Sequence, residues 1–222
     1  MTARSVGGET SQTLDRGLAV LELLARADRT GGWTVTELAA ELGVGRPVIY
    51  RLVASLGAHE LAARGEDGRI RLGLGAGRIA GAVLPVLRAT AMPVLRALAD
   101  DLGVTAHLTV AEHDAAYALA VVEPRVADLH VGYRVGTRHP LDAGAAGRAI
   151  IAGREAGWSE PQPEPVRTSG ELQPGAHGLA APVLGLPGIE ASVGVVALTE
   201  LDRPEYAARV LRAADDLRRA AG

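Results

Sequence analysis

The chain has 222 residues, with 48 % hydrophobic and 22 % charged side chains, a balance that supports one large or two small folded domains and excludes wholesale disorder. It contains no cysteine, which rules out disulfides, thiolate metal sites and a cysteine nucleophile. The formal net charge of −3 is not that of a uniformly basic nucleic-acid binder, so any contact with nucleic acid has to come from a local patch.

Lysine, asparagine and phenylalanine are absent, and every basic side chain is arginine. The apolar stretches, such as Ile79–Leu87, fall short of the ~20 residues that span a bilayer. The first residues lack the apolar run of a secretory signal. The expectation is a cytoplasmic protein with no membrane partner.

Residues 1–10 are small and polar and read as a flexible tail. From Thr13, the residues Leu14, Leu18, Leu21 and Ala25 recur at helical spacing, giving a first helix that ends before Gly31-Gly32. Thr34-Val-Thr-Glu37 has the S/T-x-x-E pattern of a capping box and opens a second helix from Val35 to about Leu42. Gly43 suits the left-handed residue that ends it. Arg46-Pro47 starts a third helix, with proline tolerated in a first turn. Along this helix Ile49, Leu52, Val53 and Leu56 form one apolar stripe, while Tyr50, Arg51, Ala54 and Ser55 face the other way. Two short helices joined by a glycine-containing turn match helix-turn-helix.

Leu61–Arg64 and Arg69–Leu72 alternate around Gly65-Glu-Asp-Gly68, the pattern of a β-hairpin with Asp-Gly in its turn. The hairpin completes a winged helix. A helical stretch from about Ala76 to Asp101 follows, expected to kink or break at Pro85 and Pro93. Beyond Gly103 the period changes to two. Thr105–Ala111, Tyr117–Val122, Leu129–Val135, Gly178–Leu184 and Ser192–Leu198 read as strands. Ala145–Ala152 reads as a short helix, residues 154–175 as a loop, and the segment from Asp202 onward as a terminal helix. The fold class is therefore α+β with two domains: a winged helix-turn-helix over 11–75, a linker helix over 76–102, and an α/β domain over 103–222.

Residues 44–75 hold five arginines against Glu60, Glu66 and Asp67, whereas residues 11–43 hold three against five acids. Arginine pairs in two bonds with guanine edges or with phosphate, and a helix in the major groove needs such donors on its outer face. The candidate DNA-binding residues are Thr36, Arg46, Tyr50, Arg51, Ser55, Arg64, Arg69 and Arg71; the plainer reading makes the arginines solvated surface groups. Gly75-Ala-Gly77-Arg-Ile-Ala80 matches a dinucleotide fingerprint in letters. However, Arg69 and Arg71 alternate with Ile70 and Leu72 in the preceding strand, which a buried parallel strand would not do. The six histidines show no metal-ligand spacing, and Ser192-Val-Gly194 lacks the first glycine of a nucleophile elbow. No catalytic residue, metal ligand or cofactor is assigned. In Pro140-Leu-Asp-Ala-Gly-Ala-Ala-Gly-Arg148, a helix starting near Gly144 with Gly and Ala in its first turn leaves backbone N–H groups approachable by an anion. The alternative is that these small residues only allow close packing of helix on sheet.

In order and spacing the chain resembles the IclR family of bacterial transcription regulators over about 11–220. The stretches that carry the resemblance are Thr13–Leu24, Thr36–Gly43, Ile49–Leu56, Ile70–Gly73, Pro140–Ala149 and Pro174–Val183. It implies a winged-helix DNA-binding domain, a linker helix and a GAF-like effector-binding domain. It further implies a homodimer or homotetramer on a palindromic double-stranded DNA operator, read as a repressor, under control of an organic acid or aromatic effector. Carried over residue by residue, the effector contacts are Leu141, Ala143, Gly144, Ala145, Ala146, His177, Gly178, Ala197 and Thr199. The chain departs from the family pattern in the turn Gly45-Arg-Pro-Val48, which lacks hydroxyls. It also has a short segment between Gly153 and Ser169, and carries Asp142 and Arg148 where His and Lys are usual. The competing functions are a small-molecule enzyme, and a protein-interaction winged helix whose second domain only dimerises.

Overall fold

The computed structural model describes residues 10–125 and 131–221. Residues 1–9 of the expected tail over 1–10, and residues 129 and 130 of one expected strand, lie outside them. The chain divides into two compact units, Met1–Val83 and Leu84–Gly222.

In the first unit, α1 (Gln12–Leu24) is capped by the Ser11 side chain and followed by a single 3-10 turn. The capping box forms at the start of α2 (Val35–Glu41): Thr34 Oγ1 accepts from Glu37 N–H, and the Glu37 carboxylate accepts from Thr34 N–H at 2.7 Å. Those bonds hold the Glu37 carboxyl below its ordinary range. Gly43 sits at φ +60° in the turn, and α3 (Arg46–Ala58) begins with Pro47 in its first turn. Strands β1 (Ala62–Arg64) and β2 (Ile70–Leu72) pair antiparallel. Trp33 extends this hairpin through two backbone bonds with Ile70. Val20, Leu38, Ile49 and Ile70 meet in the core. The face of α1 that it buries is Gly17, Val20 and Leu24, not the stripe expected from the sequence. Leu14 and Leu18 stay exposed, since the smooth Gly17 face is the one that approaches Leu52 on α3.

The expected linker helix is interrupted at Ala82, between α4 (Gly75–Gly81) and α5 (Val83–Leu102), rather than at a proline. Pro85 lies in the first turn of α5, where an N–H has no helical partner anyway, and Pro93 is carried within the helix. By length and a mean hydropathy of 1.4, Gly75–Leu102 matches a membrane span, more than the sequence reading allowed. Nevertheless α5 lays Leu87, Ala91, Leu95, Leu98 and Ala99 into the core of the second unit.

The second unit is built on a six-stranded antiparallel sheet in the order β5-β4-β3-β8-β7-β6. Its strands are β3 (Thr105–Glu112), β4 (Ala115–Val122), β5 (Arg138–Pro140), β6 (Val166–Ser169), β7 (His177–Pro182) and β8 (Ala191–Ala197). Two of the sequence expectations change. Residues 131–135, expected as strand, are irregular, and the strand is β5 instead; within the expected loop 154–175, β6 forms on the sheet edge. Alternation gives each strand two faces. Leu108, Leu179, Val193 and Val195 face one way and pack with α5 and α7 (Pro204–Ala221). His107, Thr109, Gly178, Ser192 and Gly194 take the other parity, on the side of α6 (Gly144–Glu155). Helix α6 comes close because glycines let it. A Cβ on Gly147 would sit 2.4 Å from the Leu141 carbonyl oxygen, and one on Gly178 would sit 3.0 Å from the Ala145 methyl. Ser192, fully buried, donates to the Ala146 carbonyl at 2.9 Å, a structural role.

Candidate functional site

Two regions hold the residues singled out in the sequence, one in each unit. In the first, Thr36 on α2 and Arg46, Tyr50, Arg51 and Ser55 on α3 are all exposed. Among the described residues neither Arg46 nor Arg51 is in an ion pair, so both guanidiniums are available to a partner. The hairpin arginines differ. Arg69 reaches back to donate to the Gly32 carbonyl at 2.9 Å and lies 3.4 Å from the Glu37 carboxylate, tying β2 to the start of α2. Arg71 binds Asp67 through two bonds of 3.0 and 2.6 Å, which pull the Asp67 carboxyl down to about 2. Arg64 donates to the Gly68 carbonyl at 3.2 Å. The charge of Arg71 is thus met within the hairpin and that of Arg69 by Glu37 of α2, while Arg64 is exposed and among the described residues is in no ion pair. The cationic face lies on α3.

Of the glycines in the dinucleotide pattern, Gly75 has a structural reason, shared with Gly73 before it, whereas a Cβ on Gly77 would meet nothing within 4 Å. A Cβ on Gly73 would lie 2.1 Å from the Glu60 carbonyl oxygen and one on Gly75 would lie 2.8 Å from it. These glycines let the chain pass Glu60, and the strand before them belongs to a two-stranded antiparallel hairpin, not to a parallel sheet.

In the second unit a cavity of about 260 Å³ lies between the sheet and the start of α6. Gly144, Ala145, Ala146 and Gly178 line it, from the expected effector set. Leu141 instead packs with Ala116 and Ile150, Ala143 is the residue preceding α6, and Thr199 is exposed beyond β8. His177 and Ala197 have the wrong parity. Ala197 is in the core under α5 and α7, and His177 borders a separate surface recess with Glu200 and Leu201. Their neighbours Ala176, Gly178 and Val196 border the cavity. A shift of one residue along a strand moves a side chain to the opposite face of the sheet. Asp142 and Arg148, the two departures from the family pattern, border an outer recess.

The polar residues of the cavity escaped the sequence reading. His107 and His139 are joined by a hydrogen-bonded row through two hydroxyls. His107 Nδ1 lies 3.2 Å from Thr109 Oγ1, which lies 3.4 Å from the Tyr133 hydroxyl, which lies 3.3 Å from His139 Nε2. His139 Nδ1 donates to the Pro140 carbonyl at 2.9 Å. The signal available in sequence was His107 and Thr109 at i and i+2 on one apolar strand. Burial, and then the nearby His139, push the His107 pKa down to about 3, so this ring is neutral. Burial raises the Tyr133 hydroxyl. Among the described residues no group of three His, Asp or Glu side chains gathers as a metal site would.

The wall left short by the 153–169 segment is supplied by Thr168 on β6 and by Glu171, Leu172 and Gln173 after it. Glu171 accepts from the Gly144 N–H at 2.9 Å and from Arg148 Nε at 3.0 Å, so its carboxylate occupies the start of α6. Gly144 at φ +75° leaves room for Leu172, whose side chain would lie 2.5 Å from a Cβ there.

Known proteins share both the motifs and the architecture. The IclR helix-turn-helix domain model matches residues 13–65, and the model of the bacterial transcriptional regulator IclR C-terminal region matches residues 84–160. The acetate operon repressor of Salmonella typhimurium is 28 % identical over 155 residues, covering 68 % of this chain and 56 % of that protein. The HTH-type transcriptional regulator BhcR of Paracoccus denitrificans is 30 % identical over 156 residues, covering 68 % and 54 %. The matches thus span little more than half the length of these curated relatives. Among solved structures, an IclR-family regulator from Rhodococcus sp. superposes with a TM-score of 0.65 at 21 % identity, covering 99 % of this chain and 97 % of that one. An IclR homologue from Microbacterium hydrocarbonoxydans, complexed with 4-hydroxybenzoate, gives a TM-score of 0.51 at 22 % identity, covering 94 % and 98 %. A winged helix matched by one family model and a sheet-and-helix domain matched by its companion place the chain in the IclR family of bacterial transcriptional regulators.

Proposed function

We propose that the chain is a sequence-specific DNA-binding regulator, acting as a repressor in the cytoplasm, whose operator affinity is set by a small molecule held in the second unit. The observation that carries the reading is the outer face of α3, where exposed Arg46 and Arg51 flank Tyr50, while Arg69 and Arg71 of the hairpin are held by Glu37 and Asp67. A helix with uncommitted guanidiniums on its outer face suits the major groove. Effector control is supported by the cavity against α6 and by the relative that holds 4-hydroxybenzoate. Assembly as a homodimer or homotetramer on a palindromic operator is supported by apolar side chains left exposed within the first unit, Leu14 and Leu18 on α1 and Ile79 on α4. The reading assigns no catalytic step, metal or cofactor. The domains are a winged helix over 11–75, a linker over 76–102 and an effector domain over 103–222.

The physical logic is linkage. A ligand that prefers one arrangement of the protein changes operator affinity by its difference in affinity between arrangements. The test is retardation of fragments from the gene's own neighbourhood at several salt concentrations, for the native protein and for Arg46→Ala and Arg51→Ala. Removing an arginine that binds phosphate lowers the salt slope by about 1, and removing one that binds a base edge costs ~1–3 kcal/mol with relaxed sequence preference. If both variants bind with unchanged affinity, slope and preference, α3 is not the reader. Binding without steep salt dependence favours the protein-interaction reading instead.

A further inference from the structure

We propose that Asp67 sets the charge the hairpin offers to DNA: it withholds the Arg71 guanidinium from backbone phosphates and leaves Arg64 as the hairpin's phosphate contact, which lowers sequence-independent affinity. This rests on the reading of the first unit as DNA-binding, and it gives the hairpin residues opposite parts in that binding.

The turn between β1 and β2 is shaped around the Asp67 carboxylate. It accepts from Arg71 Nη1 at 3.0 Å and from Nη2 at 2.6 Å, and also from the Arg69 N–H at 3.1 Å. A planar guanidinium held by a carboxylate through two bonds is the stronger and more directional kind of ion pair. Gly65 leaves room for it: a Cβ there would collide with the Arg71 guanidinium and lie 2.6 Å from Asp67 Oδ1. Gly68, at φ +72°, donates its N–H to the Gly65 carbonyl at 2.9 Å and closes the turn. The side chains of Arg71 and Asp67 stay 39 % and 47 % exposed, and so exposed a pair adds little to folding. Its effect is on charge. Moving Arg71 to a phosphate would exchange one anion for another and strand the Asp67 carboxylate beside a polyanion, so the exchange gains little.

Arg64 is placed differently. It is exposed, and its Nε donates to the Gly68 carbonyl at 3.2 Å. That bond steadies the guanidinium against the turn without neutralising it, and the two terminal nitrogens take no part in it. Arg69 reaches away to the Gly32 carbonyl and Glu37. Glu66, the other acid of the turn, is exposed and among the described residues is in no ion pair. It supplies a control, a negative charge at the same place that holds no arginine.

The experiment is fluorescence anisotropy of a labelled DNA duplex of mixed sequence, titrated with the full chain at several salt concentrations. No operator is needed, because phosphate neutralisation is independent of sequence, and each phosphate engaged contributes about 0.9 to the slope of log affinity against log salt. Asp67→Asn keeps an oxygen for the Arg69 N–H and frees Arg71; it should steepen the slope by about 0.9 and tighten binding severalfold. In Asp67→Asn with Arg71→Ala that gain should vanish. Arg71→Ala alone and Glu66→Gln should leave the slope unchanged, and Arg64→Ala should flatten it by about 0.9. Should Asp67→Asn fail to fold, the contrast between Arg64→Ala and Arg71→Ala decides. An unchanged slope in folded Asp67→Asn, a gain that survives the loss of Arg71, an equal gain in Glu66→Gln, or Arg71→Ala flattening the slope as much as Arg64→Ala each overturns the proposal while the regulator reading stands. A native chain that binds no duplex even at low salt overturns both.

Discussion

Replacing Gly147 with alanine would place a methyl group 2.4 Å from the Leu141 carbonyl oxygen and 2.8 Å from two further backbone atoms of Leu141. Ordinary carbon contacts begin at roughly 3.5 Å, so the start of α6 has to retreat by about 1 Å, against backbone that cannot rotate away as a side chain would. Overpacking of this kind costs about 3 kcal/mol at the upper end of its usual range, and the better helix propensity of alanine returns about 1 kcal/mol. The net loss expected is about 2 kcal/mol, a fall in midpoint of roughly 6 °C for a domain of this size. Scanning calorimetry of the native chain and the variant measures it. Gly77→Ala is the control: it is also helical, its Cβ meets nothing within 4 Å, and it should be neutral or slightly stabilising. A Gly147→Ala variant as stable as the native protein would refute the idea that α6 needs glycine where it passes the Leu141 backbone.

Other expectations are independent of that one. His107 has a folded pKa of about 3 against 6.5 for the free side chain, so between those values the unfolded chain binds more protons. The stability it contributes is complete above about 6.5 and is lost as the pH falls toward 3, on the order of 5 kcal/mol in all. Acid titration of unfolding should show this slope, and His107→Gln should flatten it. Leu38→Ala empties a fully buried position at the centre of the first unit. It should cost ~2–5 kcal/mol and abolish operator binding, while the second unit, followed by calorimetry, stays folded. Arg69→Met removes the bond to Gly32 and the contact with Glu37; it should cost ~1 kcal/mol of stability while leaving sequence preference in retardation assays unchanged. A shift in preference would return Arg69 to the reading surface.

Local chemistry made the first unit legible. The Thr34–Glu37 box, Gly43 and the Asp-Gly turn each satisfy their backbone within a few residues, so sequence and structure agree there. What sequence could not supply was the third dimension. The arginines of the hairpin were counted as free because Gly32 and Glu37, the partners of Arg69, lie more than thirty residues away. Strands β5 and β6 are only 3 and 4 residues long and contain or follow proline, so no alternation stands out. In the second unit the position of α6 was visible from its Gly-Ala start, but the choice between Val196 and Ala197 depends on sheet parity. The row from His107 to His139 joins a strand to an irregular segment whose path no periodicity announces.

That parity also separates two kinds of inheritance. On β8, Val193 and Val195 serve the common core, while Val196, one position away, borders the cavity. The lining of the cavity can therefore change at Val196 or Thr168 without disturbing the packing that holds α5 and α7. The core-facing residues of the same strands keep the scaffold constant, so the two faces of one strand answer to different constraints.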